Sequence, residues 1–270
     1  MPHTVVSRHA RYAGIPALVL GLALMLPVTT NAQVVQGTFE RTLSVTGQAD
    51  LDVATGSGDV TVRTGPAGSV RIVGRIRAND SWFGAGRGAA DKVKALEAKP
   101  PIEQTGSAIR IGRIEDRDLQ QNVSISYEIT APSQCKLRSH TGSGDQNIGD
   151  ISGPVEIGSG SGDLVLASIG GRVDATTGSG DITVGTVRGG FSAKSGSGNI
   201  RAKDVAGEIA VSAASGDIEV AQSAAGDVRV NTASGDVNLR GVQGPLRLDS
   251  ASGELRAGMS ADVSFPNVPQ

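Results

Sequence analysis

Gly56-Ser57-Gly58-Asp59-Val60 is a short phrase that returns as a regular beat through the second half of the chain. Its Gly-Asp pair, or a close variant, begins again at Gly144, Gly162, Gly180, Gly198, Gly216, Gly235 and Gly253, in steps of 18, 18, 18, 18, 19 and 18 residues. A unit of this size is too small to bury a core of its own and must stack on its neighbours, which predicts a solenoid.

Aligning the seven units shows where the core lies. Two residues after the lead glycine stand Gln146, Leu164, Ile182, Ile200, Ile218, Val237 and Leu255, and two further on Ile148, Leu166, Val184, Ala202, Val220, Leu239 and Ala257. Alternation of this kind is a strand with one buried face. The other half of each unit repeats it with Val155, Val173, Phe191, Ile209, Val228 and Leu246, then Ile157, Ala175, Ala193, Val211, Val230 and Leu248. The expectation is an all-β, parallel β-solenoid (β-helix) with two strands per 18-residue coil, parallel within each sheet. A glycine column (Gly153, Gly171, Gly189, Gly207, Gly226, Gly244) marks the corner between the halves, where Gly226 takes up the extra residue of the longer coil. Before the lead glycine, Ser159, Thr177, Ser195, Ala213, Thr232 and Ser250 form a small-residue column suited to inward hydroxyls that bond between coils.

Working outward, Arg8 and Arg11 precede an apolar run from Ile15 to Val28, followed by the small residues Thr30-Asn31-Ala32. This reads as a secretory signal peptide over 1–32, with one β-solenoid domain over 33–270 and no membrane span once the signal is cleaved. First coil elements are expected over 42–77, an insertion over 78–122 and regular repeats over 137–265. Within the insertion, Ala90–Ala98 has helical composition and stops at Pro100-Pro101, so a small helix is expected near 90–98. At the far end Val263 and Phe265 suggest a last half-strand before Pro266 and Pro269.

Without residues 1–32 the chain carries 23 basic and 27 acidic residues. That balance lacks the basic stripe that nucleic acid demands. Cys135 is the only cysteine, so no internal disulfide forms and stacking alone must hold the fold.

Tyr127-Glu128-Ile129-Thr130-Ala131-Pro132 ahead of Leu137, followed by Thr141-Gly142-Ser143-Gly144-Asp145 and its repeats, resembles the bacterial putative-adhesin family of unknown function. The resemblance covers about Thr42 to Phe265. It implies an exported or membrane-attached β-solenoid domain, periplasmic or at the cell surface, and supplies no catalytic residues.

The most visible candidate site is the acidic column Asp145, Asp163, Asp181, Asn199, Asp217, Asp236 and Glu254, with Asp59 as its earlier copy. Stacked carboxylates would attract a cation such as calcium, and Asp145, Asp163, Asp181, Asp217 and Asp236 are the metal candidates. Equally, short polar side chains at a tight turn accept backbone N–H bonds, the role preferred here because the other ligands of a calcium repeat are missing. No cofactor is otherwise implied.

Trp82, Phe83 and Arg87 form a second candidate site in a glycine-rich stretch, either a recognition loop or rings that fold back over the solenoid. Cys135 and His140 differ in parity and should face opposite ways, so no nucleophile and base converge and no enzyme is expected. The function expected is a structural or adhesin-like interaction module of the cell envelope, with a calcium- or ligand-binding module as the alternative. Its partner would be an envelope protein or surface ligand, and open solenoid ends would also permit end-to-end oligomers.

Overall fold

The computed structural model describes residues 34–79 and 88–259. In each coil of 135–259 the apolar columns predicted above turn inward, and the chain stacks as a parallel β-solenoid of about 7 turns with ~18 residues per coil. One sheet has eleven strands. In spatial order they are Val34–Ser44, Ser69–Asn79, Val123–Pro132, Val60–Gly65, Gln146–Ile148, Leu164–Ile169, Ile182–Val187, Ile200–Ala206, Ile218–Ala224, Val237–Val242 and Leu255–Met259. The other has ten: Ile102–Thr105, Ala108–Ile111, Ala49–Ser57, Cys135–Ser143, Val155–Ser159, Val173–Thr177, Phe191–Ser197, Ile209–Ser215, Val228–Ser234 and Leu246–Ser252. Their inner faces meet in one core.

The columns are the register. Leu164 lies beside Ile182, Ile182 beside Ile200 and Ile200 beside Ile218. In the second sheet Val155, Val173, Phe191, Ile209, Val228 and Leu246 pair in succession. Ile151, Ile169, Val187, Val205 and Val242, all buried, form a third apolar column at the corner.

One expectation needs correction: the sheets are not parallel throughout. Val34–Ser44 runs antiparallel to Ser69–Asn79, which runs antiparallel to Val123–Pro132, and Ile102–Thr105 is antiparallel to Ala108–Ile111. Parallel neighbours need a crossover of a dozen or so residues, whereas Gly106 and Ser107 alone join the last pair.

Nor do the coils stack in chain order. The first complete coil, Ala49–Ser57 with Val60–Gly65, lies between Cys135–Ser143 with Gln146–Ile148 on one side and Ala108–Ile111 with Val123–Pro132 on the other. The later segment passes beneath the first coil, and the chain then crosses it to begin the regular repeats.

The extra residue of the 19-residue coil falls where expected, beside Gly226, after a local slip that cancels itself. The register is regular at Ala202↔Val220, shifts at Val205↔Gln222, returns at Ala206↔Ala224 and is one residue longer at Ile209↔Val228. The buried Gln222 holds this corner. Its Nε2 donates to Gly207 O and Gly226 O at 2.9 and 3.0 Å, and its Oε1 accepts from Gln243 N at 2.9 Å. A lone apolar side chain would leave those groups unpaired at a distorted turn, which is costly.

The helix expected near 90–98 is present as α1, Ala89–Ala98, with Val93 and Leu96 buried against the antiparallel end strands. Glu97 Oε1 accepts from Thr38 N at 2.9 Å. Lys92, 3% exposed, donates from Nζ to Gln121 O at 3.0 Å, tying α1 to the segment that carries the short helix α2, Arg117–Gln120. At the other end of the solenoid Leu246 and Leu248 are half-buried and Leu255 is 41% exposed. Residues 1–32, Val263 and Phe265 lie outside the described residues, as do Trp82, Phe83 and Arg87.

Candidate functional site

The repeated phrase sits where the second sheet hands over to the first. Its lead glycine is required by close approach: a Cβ on Gly180 would stand 2.1 Å from Gly162 O, and one on Gly198 1.9 Å from Gly180 O. No side chain fits that gap. Beside this contact the hydroxyl column bonds as expected in four coils, with Thr141, Ser159, Thr177 and Ser195 donating to the carbonyls of Gly58, Gly144, Gly162 and Gly180 at 3.2–3.3 Å. Ala213 interrupts it, and Thr232 and Ser250 donate instead within their own turns, to Ser234 O and Ser252 O.

The acidic residues form a ladder of their own. Asp59 Oδ1 accepts from Asp145 N at 3.1 Å, Asp145 from Asp163 at 2.9 Å and Asp163 from Asp181 at 2.8 Å. Asp181 then accepts from Asn199 at 2.8 Å, Asn199 from Asp217 at 2.9 Å, Asp217 from Asp236 at 3.0 Å and Asp236 from Glu254 at 2.8 Å. The expected acceptor role is present, but it points along the stack rather than within the turn. Each carboxylate caps the N–H of the equivalent residue one coil on, while the next residue's N–H already serves the sheet, as in Ile182 N to Asn199 O at 2.9 Å.

The charge of the row is offset locally. Arg201 Nη1 reaches Asp181 Oδ2 at 3.2 Å, and the neutral Asn199 separates Asp181 from Asp217. The Asn199 backbone N–H, helped by the Asn199 and Arg201 side chains, holds the Asp181 carboxyl below its ordinary range. Each of these carboxylates thus spends one oxygen on the backbone. Calcium takes about six to eight oxygens, and among the described residues no three His, Cys, Asp or Glu side chains gather into a group that would hold a metal ion.

The remaining candidates fall apart spatially. Cys135 is fully buried and burial pushes its thiol up to about 11, far from a reactive thiolate. His140 is exposed, its ring lying over Gly158, where a Cβ would stand 2.9 Å from His140 Cδ2. Outward charges pair across coils, with Arg240 to Glu219 at 2.7 Å, Arg229 to Glu208 at 2.9 Å and Arg188 to Asp204 at 3.1 Å. Half-exposed pairs of this kind contribute about 0–1 kcal/mol each. Reading the columns alone missed the buried polar anchors Lys92 and Gln222, although the 19-residue step was the available sign of the second.

Residues 172–264 match the family model of Toastrack DUF4097. Over those residues the chain is similar to a Toastrack domain. Its coils superpose on the crystal structure of a putative adhesin from Bacteroides fragilis NCTC 9343 with a TM-score of 0.50 and 16% identity, over 82% of this chain and 97% of that one. At that identity the likeness is one of fold. Two structures from Parabacteroides distasonis ATCC 8503 also match. One is named a putative adhesin (TM-score 0.40, 9% identity, 82% and 97% of the chains), the other a putative lipid binding protein (0.43, 10%, 81% and 96%). No curated protein matches the sequence. Among the described residues no helix is long and apolar enough to cross a membrane.

Proposed function

We propose that this chain is a non-catalytic, exported β-solenoid that serves the bacterial cell envelope as a structural or adhesin-like interaction module, in the periplasm or at the cell surface. The ladder carries this reading. The carboxylates that look most like a reactive site are spent on joining coil to coil, which leaves long outward faces with several charges paired across coils, the kind of surface that meets another macromolecule rather than turns over a substrate. The name of the Bacteroides fragilis structure points the same way.

The test follows the full chain with a C-terminal tag in a Gram-negative host. Recovery from the periplasm or surface, with a mass lacking residues 1–32, supports the reading. An intact mass confined to the cytoplasm overturns export. Beads coated with the purified protein should then be retained on envelope preparations, and retention no better than bare beads overturns the interaction role.

A calcium-binding corner is the second reading, supported by the seven-rung row of carboxylates and amide whose second oxygens are not used by the backbone ladder. Thermal unfolding in EDTA and then in millimolar calcium decides it, because a ligand of the folded state raises stability by mass action. A rise of several degrees that Asp163→Asn, Asp181→Asn and Asp217→Asn together abolish would establish it.

A further inference from the structure

Both sheets stop at the same end of the solenoid, one with Leu246–Ser252 and the other with Leu255–Met259. In the coils before them the N–H of the column residue donates to the following coil: Val173 to Gly190 O, Phe191 to Glu208 O, Ile209 to Asp227 O and Val228 to Pro245 O, at 2.9–3.0 Å. Leu246 is next in that series, and among the described residues no strand lies on that side of it. The inward faces are open as well. Column members in the middle of the stack, such as Ile182 and Ile200, are fully buried, whereas Leu246 and Leu248 are half-buried and Leu255 and Ala257 are exposed. A bare edge over bare apolar columns invites another strand, and solenoid ends need a cap to stay soluble.

Register says which strand fits. Leu255, Ala257 and Gly258 stand 18 residues beyond Val237, Leu239 and Arg240, but at the corner the step shortens to 17 and Met259 lies beside Val242. Carried forward along the sequence, a step of 17 would place Val263 beside Leu246 and Phe265 beside Leu248. Were the shift made good, as it is after Gln222, Ser264 and Pro266 would stand there instead, and the one-residue slip would turn Val263 and Phe265 out to water. The short step also sets Asp262 one coil beyond Pro245, on the side of Arg247, in the column where Glu208 and Asp227 already hold Arg229 at 2.9 Å each. Pro266 and Pro269 follow and would end the pairing, as a final edge requires.

We propose that the chain's own residues 261–265 dock on the free edge of Leu246–Ser252 as a further parallel strand, with Val263 against Leu246 and Phe265 against Leu248, and that this cap keeps the open end from pairing with a second copy. The cap belongs to the stack itself, so it stands whether or not the envelope role does.

Disulfide trapping tests the register, because opposed residues of neighbouring strands stand about 5 Å apart, within the span of a disulfide. In the full chain with an untagged C-terminus, Arg247→Cys with Ser264→Cys should close within one molecule on mild oxidation, seen as a monomer lighter by two hydrogens. Arg247→Cys with Phe265→Cys, the pair that an uninterrupted step of 18 would oppose, should not. The native Cys135 is buried and takes no part. In hydrogen exchange the Leu246 and Leu248 amides of the native chain should be slowed about tenfold relative to Phe265→Asp, the worth of one hydrogen bond. Deleting 260–270 should give a chain whose sedimentation coefficient rises with concentration while the native chain stays monomeric. Bonds that form between molecules only, a bond with Phe265→Cys as readily as with Ser264→Cys, or exchange that Phe265→Asp leaves unchanged would each overturn the docking, and a shortened chain that stays monomeric would overturn the sealing of the end.

Discussion

The regular coils of 135–259 and the end built from 34–132 hold themselves together in different ways. In the coils one small set of bonds recurs: a lead glycine under its neighbour's carbonyl, a carboxylate on the next coil's N–H, and apolar columns in register. At the end, outside the first coil, each contact occurs once. Phe39 meets Tyr127 edge-on at 6.3 Å, Gly74 leaves room for the Phe39 ring, and Lys92 reaches Gln121. Repetition means that one tolerated geometry is copied, and backbone packs directly on backbone. The unique end packs side chain on side chain, which leaves room for compensation.

The largest expected effect breaks this comparison open. Gly180→Ala puts a Cβ 2.1 Å from Gly162 O, a backbone atom that cannot step aside. A cost of about 3 kcal/mol or more, a fall of roughly 10 °C in melting temperature, is expected. Gly74→Ala places its Cβ 2.1 Å from Phe39 Cζ and should cost as much alone. Adding Phe39→Leu should recover part of that loss, while no second substitution at a side chain rescues Gly180→Ala. Differential scanning calorimetry of the three variants distinguishes the two packing styles, and equal losses with no rescue would dissolve the distinction.

Alkaline pH sharpens it next. Cys135 stands where the repeats begin, its thiol held up to about 11 by burial. In the unfolded chain a thiol ionises near its ordinary value of ~8.5, so between there and 11 the unfolded state binds fewer protons and stability falls as pH rises. The loss from this group should approach about 3 kcal/mol by pH 11. Denaturant titrations at pH 8 and pH 10.5 should show it, and Cys135→Ala should flatten that part of the profile.

A smaller effect is expected at the ladder. Asp181→Ala removes the acceptor for Asn199 N and should cost about 1 kcal/mol, less any part that water replaces. Asp181→Asn keeps the acceptor and loses only the half-exposed Arg201 pair, so its cost should be a few tenths of a kcal/mol. Because the Asp181 carboxyl is held below its ordinary value of 3.8, the stability it adds is present above that pH and is lost as pH falls further. The gap between the native protein and Asp181→Asn in denaturant titrations should therefore close in strong acid. The smallest effect expected is that of calcium, which on the preferred turn role leaves the melting temperature where EDTA left it.

Much of the candidate site was legible in the repeat. A residue returning at every coil acts on its copies, and the acidic column does bond from copy to copy. Its direction was not legible, because composition at a corner says that an acceptor is wanted but not whether the N–H it meets belongs to its own turn or to the next coil. Tyr127 was visible only as an inward member of an alternating strand, since its unpaired hydroxyl depends on which segments close over it.

By itself the sequence determined the coil period, the two strands per coil, the inward columns and α1, because strand and helix periodicities are local and a repeated unit must repeat its environment. Only the tertiary structure decided that the first coil lies between two later ones, that the end strands run antiparallel, and that Gln222 mends the long coil. Alternation assigns each side chain a face, whereas the choice of neighbouring strand is settled by non-local backbone pairing, to which many segments of like pattern are equally suited.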